Sequence, residues 1–137
     1  MRRVLTVDSR CLDAIIQHGE TCYPLEAAGV IVSGENGQTA FPEISQQERN
    51  RFNIKAATLI RARQSGDIIG FYHSHPDGRA ALSIQDARSM RIADQPTWPG
   101  VAWVVLSVIN GRFVDMSAYM WNSKRRNFSS VAVVIDE

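Results

Sequence analysis

The spacing of apolar positions changes several times along the chain, and each change marks an element. Val4–Val7 predicts a short strand. Asp8 or Ser9 then offers an N-cap, and Leu12, Ile15 and Ile16, with Cys11 beside them, fall at helical spacing over Arg10–Thr21. Pro24 stops that helix, because its ring removes a donor and clashes with the preceding turn. Ala27–Ser33 is small and β-branched and predicts a strand, closed by the turn Gly34-Glu35-Asn36-Gly37. Gln38–Ser45 suits a partner strand, in which Pro42 requires an edge or irregular position.

Beyond this hairpin the period returns to helical. Asn53–Gln64 carries Ile54, Ala57, Leu59 and Ile60 as apolar positions, with Gly66 as the C′ residue. Asp67–His73 reads as a buried strand, Pro76–Leu82 as a loop and Ser83–Ala93 as a helix. Val101–Val108 and Phe113–Tyr119 flank Asn110-Gly111, a strong short hairpin signal, and Ser130–Ile135 predicts a last strand at a sheet edge. No repeat, low-complexity run or linker divides residues 1–137, so the expectation is one α/β (α+β) domain: a mixed β-sheet flanked by helices.

Composition narrows the functional classes. The chain has 137 residues, 45% hydrophobic and 21% charged, enough to bury a core without staples. Fifteen Lys and Arg against fourteen Asp and Glu leave a net charge of +1, which calls for neither nucleic acid nor an anionic membrane as partner. Cys11 and Cys22 are too few for a disulfide framework and lack zinc-binding spacing, so both read as structural. No apolar stretch of signal-peptide length follows Arg2-Arg3, and Val101–Ile109 is too short to span a bilayer; the expected location is cytoplasmic.

The chemistry gathers around Phe71-Tyr72-His73-Ser74-His75-Pro76. Alternate residues of a strand face the same way, so His73 and His75 present two imidazoles on one side. Asp86 falls in the first turn of the helix that begins near Ser83. Two nitrogens and a carboxylate leave one position of a tetrahedral zinc open, the catalytic rather than the structural pattern. The bland alternatives stand beside this reading. Ser83-Ile84-Gln85-Asp86 is also a capping-box-like helix start. Asp67, Asp77 and Asp94 are rival carboxylates, and Asp77 is a loop-tip candidate for the metal. Ser74 points away from the metal face and is placed to support a neighbour's hydrogen bonds. His18 reads as a solvated residue on the polar side of its helix, Lys124-Arg125-Arg126 as a solvated face, and Trp98, Trp103 and Trp121 as core or rim.

With Glu26 upstream, His73-x-His75-x7-Ser83-x-x-Asp86 resembles the motif of the JAMM (MPN+) metalloprotease family. Gly70–Pro76 and Trp98-Pro99-Gly100, followed by the Val101–Val108 strand, look like the small bacterial members; the likeness runs from Leu5 to Trp121. The resemblance implies the JAMM/MPN, cytidine-deaminase-like architecture and one Zn²⁺ per chain on His73, His75 and Asp86. It implies Glu26 as general base and Ser83 as oxyanion donor; Glu26 alone reads only as a carboxylate at a strand entrance. The implied activity is zinc-dependent hydrolysis of a peptide or isopeptide bond. Similar bacterial members process ubiquitin-like β-grasp sulfur carriers after a C-terminal Gly-Gly, which makes such a carrier the expected partner. Two alternatives remain: a JAMM peptidase with another substrate, such as a phage-tail or cell-wall peptide, and a non-catalytic MPN scaffold. Departures are small. Leu82 stands where many members have Pro, and His75-Pro76-Asp77-Gly78 replaces the His-Pro-Ser-Gly usual in the DNA-repair-associated relatives. The short stretch before His73 argues against a polyubiquitin enzyme, and a homodimer is left open.

Overall fold

Two strands buried along most of their length lie side by side at the centre of the sheet. They are β4 (Asp67–Pro76), buried from Gly70 to Ser74, and β7 (Ala102–Ile109), buried from Ala102 to Val108, paired in parallel with Phe71 opposite Trp103 and His75 opposite Ser107. A computed structural model of the protein describes residues 3–44 and 53–137. Among the described residues the order of elements is β1 (Val4–Asp8), α1 (Ser9–Cys22), β2 (Ala28–Gly34), β3 (Gly37–Pro42) and α2 (Ala56–Ser65), then β4. After β4 come α3 (Ile84–Ser89), the short β5 (Arg91–Ile92) and β6 (Gln95–Pro96), then β7, β8 (Arg112–Asn122) and β9 (Asn127–Asp136). The main sheet has the order β1-β9-β8-β7-β4-β2-β3 and is mixed, with β1–β9 and β4–β7 parallel.

Burial on both faces explains why β7 is almost continuously apolar and why β4 carries Ile68, Ile69, Phe71 and Tyr72 on both of its sides. On one face Leu12 and Ile15 of α1 pack with Ile31, Tyr72, Val104, Leu106 and Val108. On the other, Ala62 of α2 and Met90 pack with Val30, Val32, Phe71 and Trp103. Trp103 stacks on Phe71 at 4.8 Å between ring centres, with Trp98 edge-on to the same ring at 5.1 Å. The β7–β8 turn is the expected hairpin, with Asn110 at φ 51° and Gly111 at φ 82°, the left-handed pair that a two-residue turn requires.

Several boundaries move, each for a local reason. α2 begins at Ala56 rather than Asn53, because Glu43 caps it from a distance: its Oε1 accepts from Lys55 N–H and from Thr58 Oγ1, both at 2.7 Å. β3 ends at Pro42, so the Ser45 end of its expected range lies outside the described residues. β4 continues past His73 to Pro76. The helix expected over Ser83–Ala93 stops at Ser89. The Met90 carbonyl, which a longer helix would offer to residue 94, instead accepts from the N–H and hydroxyl of Thr97, both at 3.0 Å. That bond folds Arg91–Gln95 back as the β5–β6 ribbon. The last strand is not an edge. β9 lies between β8 and β1, since the N-terminal strand pairs with it from Val4–Ala132 to Asp8–Asp136, and β1 takes the edge instead.

His18 is not a solvated residue. Its Nδ1 is 2.7 Å from the hydroxyl of Tyr72, whose side chain is fully buried, and the two rings meet edge to face. Gly29 makes room for this pair: a Cβ there would lie 2.3 Å from the Tyr72 ring. Burial pushes the His18 pKa below its ordinary 6.5. The unfolded chain therefore binds the proton more readily than the folded one, and folding stability grows with pH in that window. The contribution is complete above pH 6.5 and is lost as pH falls through the lowered folded value. Urea midpoints at pH 7.5 and 5.5 are expected to differ more for the wild type than for His18→Gln. Equal differences would mean that His18 titrates as a solvated imidazole.

Candidate metal centre

Strand alternation and one helix N-terminus assemble the site. Ala28 pairs with His73, so Ala28, His73, His75 and Ser107 share the α2 face of the sheet. Glu26, two residues before Ala28, is carried to the same face. The extended run into β2 is held by Ser74 on the opposite face. Ser74 Oγ accepts from Ala27 N–H at 2.7 Å, and Ser74 N–H donates to the Ala27 carbonyl at 2.9 Å. Ser74 thus supports the residue next to Glu26, as its outward direction suggested. α3 brings Asp86 in from the other side. It starts with a capping box: Ser83 Oγ accepts from Asp86 N–H at 3.0 Å, and Asp86 Oδ2 accepts from Ser83 N–H at 3.2 Å.

The donors converge. Asp86 Oδ2 stands 3.0 Å from His73 Nε2 and 2.9 Å from His75 Nε2, and the imidazole centres are 5.0 Å apart. One ligand atom each of Glu26, His73 and His75 lies within 4.8 Å of the others. Three of the four are withdrawn from water: His73 is 0% exposed, Glu26 2% and Asp86 6%, while the His75 side chain keeps 17% of its surface exposed. His75 Nδ1 donates to the Arg79 carbonyl at 2.8 Å, which leaves Nε2 facing the cluster. Ser83 lies at the exposed rim with its oxygen engaged in the cap. Of the rival carboxylates, Asp67 is an exposed partner of Arg63 at 3.0 Å. Asp77 accepts from Tyr23 OH at 2.6 Å and from Asn110 N–H at 3.0 Å.

The electrostatics follow from burial and mutual contact. Burial pushes the Glu26 carboxyl up to about 8; His75 pulls against that shift and the Asp86 carboxylate adds to it. Burial also works against the Asp86 carboxylate, but the hydrogen bonds from His73 and His75 and the Ser83 N–H hold it well below the usual carboxylate range. Burial lowers the His73 pKa, with the Asp86 bond opposing. Burial opposes charge on His75 too, yet its bonds to Asp86 and to the Arg79 carbonyl leave its pKa raised.

The donor set fits a zinc ion. Tetrahedral zinc with bonds near 2.0–2.1 Å spaces its ligands by roughly 3.3 Å, close to the separations of Asp86 Oδ2 from the two Nε2 atoms. Beside them Glu26 Oε2 is buried with no hydrogen-bond partner among the described residues, a polar atom aimed at a centre that can satisfy it. The structure brings Glu26, His73, His75 and Asp86 together and leaves Ser83 at the rim, five residues singled out by the sequence pattern. That pattern had no signal for the Arg79 carbonyl, because a backbone oxygen has no residue identity, nor for Tyr23.

Comparison with known proteins gives the family and the fold. Residues 8–123 match the sequence profile of the prokaryotic homologues of the JAB domain, and the chain belongs to that family. Among curated proteins it is similar to the Desampylase of Haloferax volcanii, 27% identical over 96% of each chain. It is also similar to tail tip assembly protein K of Escherichia phage N15, 27% identical over 69% of this chain; the match spans only 39% of the phage protein. The fold resembles the crystal structure of a JAB1/MPN domain protein from Archaeoglobus fulgidus, with 12% identity, TM-score 0.58 and 97% of both chains covered. It likewise resembles a structure described as a JAMM metalloprotease-like zinc site in the proteasome and signalosome, with 15% identity, TM-score 0.58 and 98% and 100% coverage. The expected single-domain mixed sheet flanked by helices is thus the JAMM/MPN fold. No helix among the described residues is long and apolar enough to cross a membrane.

Proposed function

We propose that the protein is a zinc-dependent peptidase that hydrolyses the bond after the C-terminal Gly-Gly of a ubiquitin-like β-grasp protein. The observation that carries the reading is the convergence of Asp86 Oδ2 with both His Nε2 atoms beside the buried Glu26 carboxyl. His73, His75 and Asp86 would hold the ion. When bound, zinc supplies Lewis acidity for the carbonyl and lowers the pKa of water. Glu26 removes a proton from the attacking water and returns it to the leaving amine; its dry setting and raised pKa suit both directions. Ser83 Oγ accepts one hydrogen bond in the cap, and its own O–H is free to donate to the oxyanion.

The likeness to the Desampylase along nearly the whole of both chains supports a ubiquitin-like partner and an isopeptide or peptide bond as substrate. A Gly-Gly tail is extended and lacks side chains, so its backbone can approach the centre closely. Both cysteines are free, in keeping with the proposed cytoplasmic setting. The phage relative keeps a tail-associated peptidase alive as the second reading. The test is incubation of the zinc-loaded protein with a β-grasp carrier extended beyond Gly-Gly, read by intact mass. The expected product ends at Gly-Gly. An uncut carrier, with other peptides cleaved by the same preparation, would overturn the substrate class.

A further inference from the structure

Asp77 sits one residue past the ligand strand, and its carboxylate joins its own loop to two other segments. Oδ2 accepts from the hydroxyl of Tyr23, in the link between α1 and β2 that leads to Glu26. Oδ1 accepts from Asn110 N–H in the β7–β8 turn, while the Asp77 N–H donates to the Val108 carbonyl at 2.7 Å. The residue is held at φ 57°, a left-handed conformation that Asp tolerates better than most side chains. The Tyr23 ring lies against the same turn, where a Cβ on Gly111 would be 3.7 Å from it.

The chain leaving Asp77 wraps directly around His75. Gly78 N–H donates to the His75 carbonyl at 3.2 Å, and Ser107 Oγ donates to the Gly78 carbonyl. A Cβ on Gly78 would lie 3.1 Å from the His75 Cβ. The next carbonyl, that of Arg79, accepts from His75 Nδ1. Arg79 lies two residues beyond Asp77, and the Tyr23–Asp77 bond ties the segment that leads to Glu26 to the same loop. Partners that orient a metal-ligating imidazole typically change metal affinity by 10- to 100-fold when removed.

We propose that Asp77, anchored by Tyr23, is a positioning residue: it holds the Asp77–Arg79 loop so that the Arg79 carbonyl fixes the His75 ring with Nε2 toward Asp86. This rests on the proposed role of His75 as a ligand, so the test reads the clamp in two ways. The first is solvent exchange of the His75 Nδ1–H, followed by NMR in protein stripped of metal. The second is zinc affinity by chelator competition. Asp77→Ala is expected to speed the exchange at least tenfold and to weaken zinc by 10- to 100-fold. Asp77→Asn keeps an oxygen for the Asn110 N–H and is expected to restore most of both. Tyr23→Phe keeps the ring packing and loses one bond; it is expected to give a smaller change in the same direction, and it serves if Asp77→Ala fails to fold. Exchange and affinity within twofold of wild type in both Asp77→Ala and Tyr23→Phe would overturn the clamp. Exchange that responds while no variant, wild type included, binds zinc would leave the clamp standing and remove the metal reading instead.

Discussion

Glu26→Gln is expected to lower kcat on a Gly-Gly-extended carrier by about 10²- to 10⁴-fold, the usual span for loss of a general base, while zinc content stays at the wild-type level. The substitution keeps the size and the hydrogen-bonding outline of the side chain. It removes only the ability to take up and release a proton. Glu26 is 2% exposed, and its carboxyl is pushed up to about 8 by burial. A neighbouring divalent charge draws such a value down again, toward the pH at which a base can both accept and return a proton. Because Glu26 is proposed as the base and not as a ligand, KM and metal affinity are expected to move little. Steady-state kinetics with parallel metal analysis separate the two effects. An undiminished kcat would remove Glu26 from the mechanism; a fall in zinc content together with kcat would make it a ligand instead.

The residues that define this centre were legible because local rules place them. A period of two puts His73 and His75 on one face, and a helix N-terminus puts Asp86 in the first turn. Neither rule depends on distant parts of the chain. Glu26 needed the family motif, since nothing local distinguishes it from a surface carboxylate at a strand entrance. What stayed hidden was long-range. β9 read as an edge because its second partner, β1, comes from the other end of the chain. His18 read as solvated because the hydroxyl that receives it belongs to Tyr72, fifty-four positions away. The early end of α3 depends on a hydroxyl and an N–H of Thr97, which lie beyond the helical pattern that predicted its continuation. Asp77 was read as a rival ligand from its position beside the histidines; its partners Tyr23 and Asn110 lie on other elements.

Asp86 carries two roles that its substitutions separate. As the N3 residue of α3 it accepts the Ser83 N–H and closes the capping box; as a proposed ligand it offers Oδ2 to the ion between the two imidazoles. Asp86→Asn keeps an oxygen for the cap but loses the charge, and carboxylate is the harder, stronger donor for a divalent cation. Wild type is expected to hold about one zinc per chain by mass spectrometry, as a single His₂–carboxylate site requires. Asp86→Asn and His75→Ala are both expected to lose most of it. Asp86→Ala is expected to lose the zinc and also about 1 kcal/mol from the broken cap, visible as a lower urea midpoint than that of Asp86→Asn when both are free of metal. Ser83→Ala removes the other half of the cap and is expected to lower the midpoint by a similar amount while retaining zinc, because it takes no ligand away. Zinc retained by both Asp86 variants would exclude Asp86 as a ligand and leave the cap as its whole function. Absence of metal from the wild type, even with zinc supplied in excess, would leave a folded JAB domain with its donors in place and no ion to hold. The same surface would then be tested for binding partners as a scaffold.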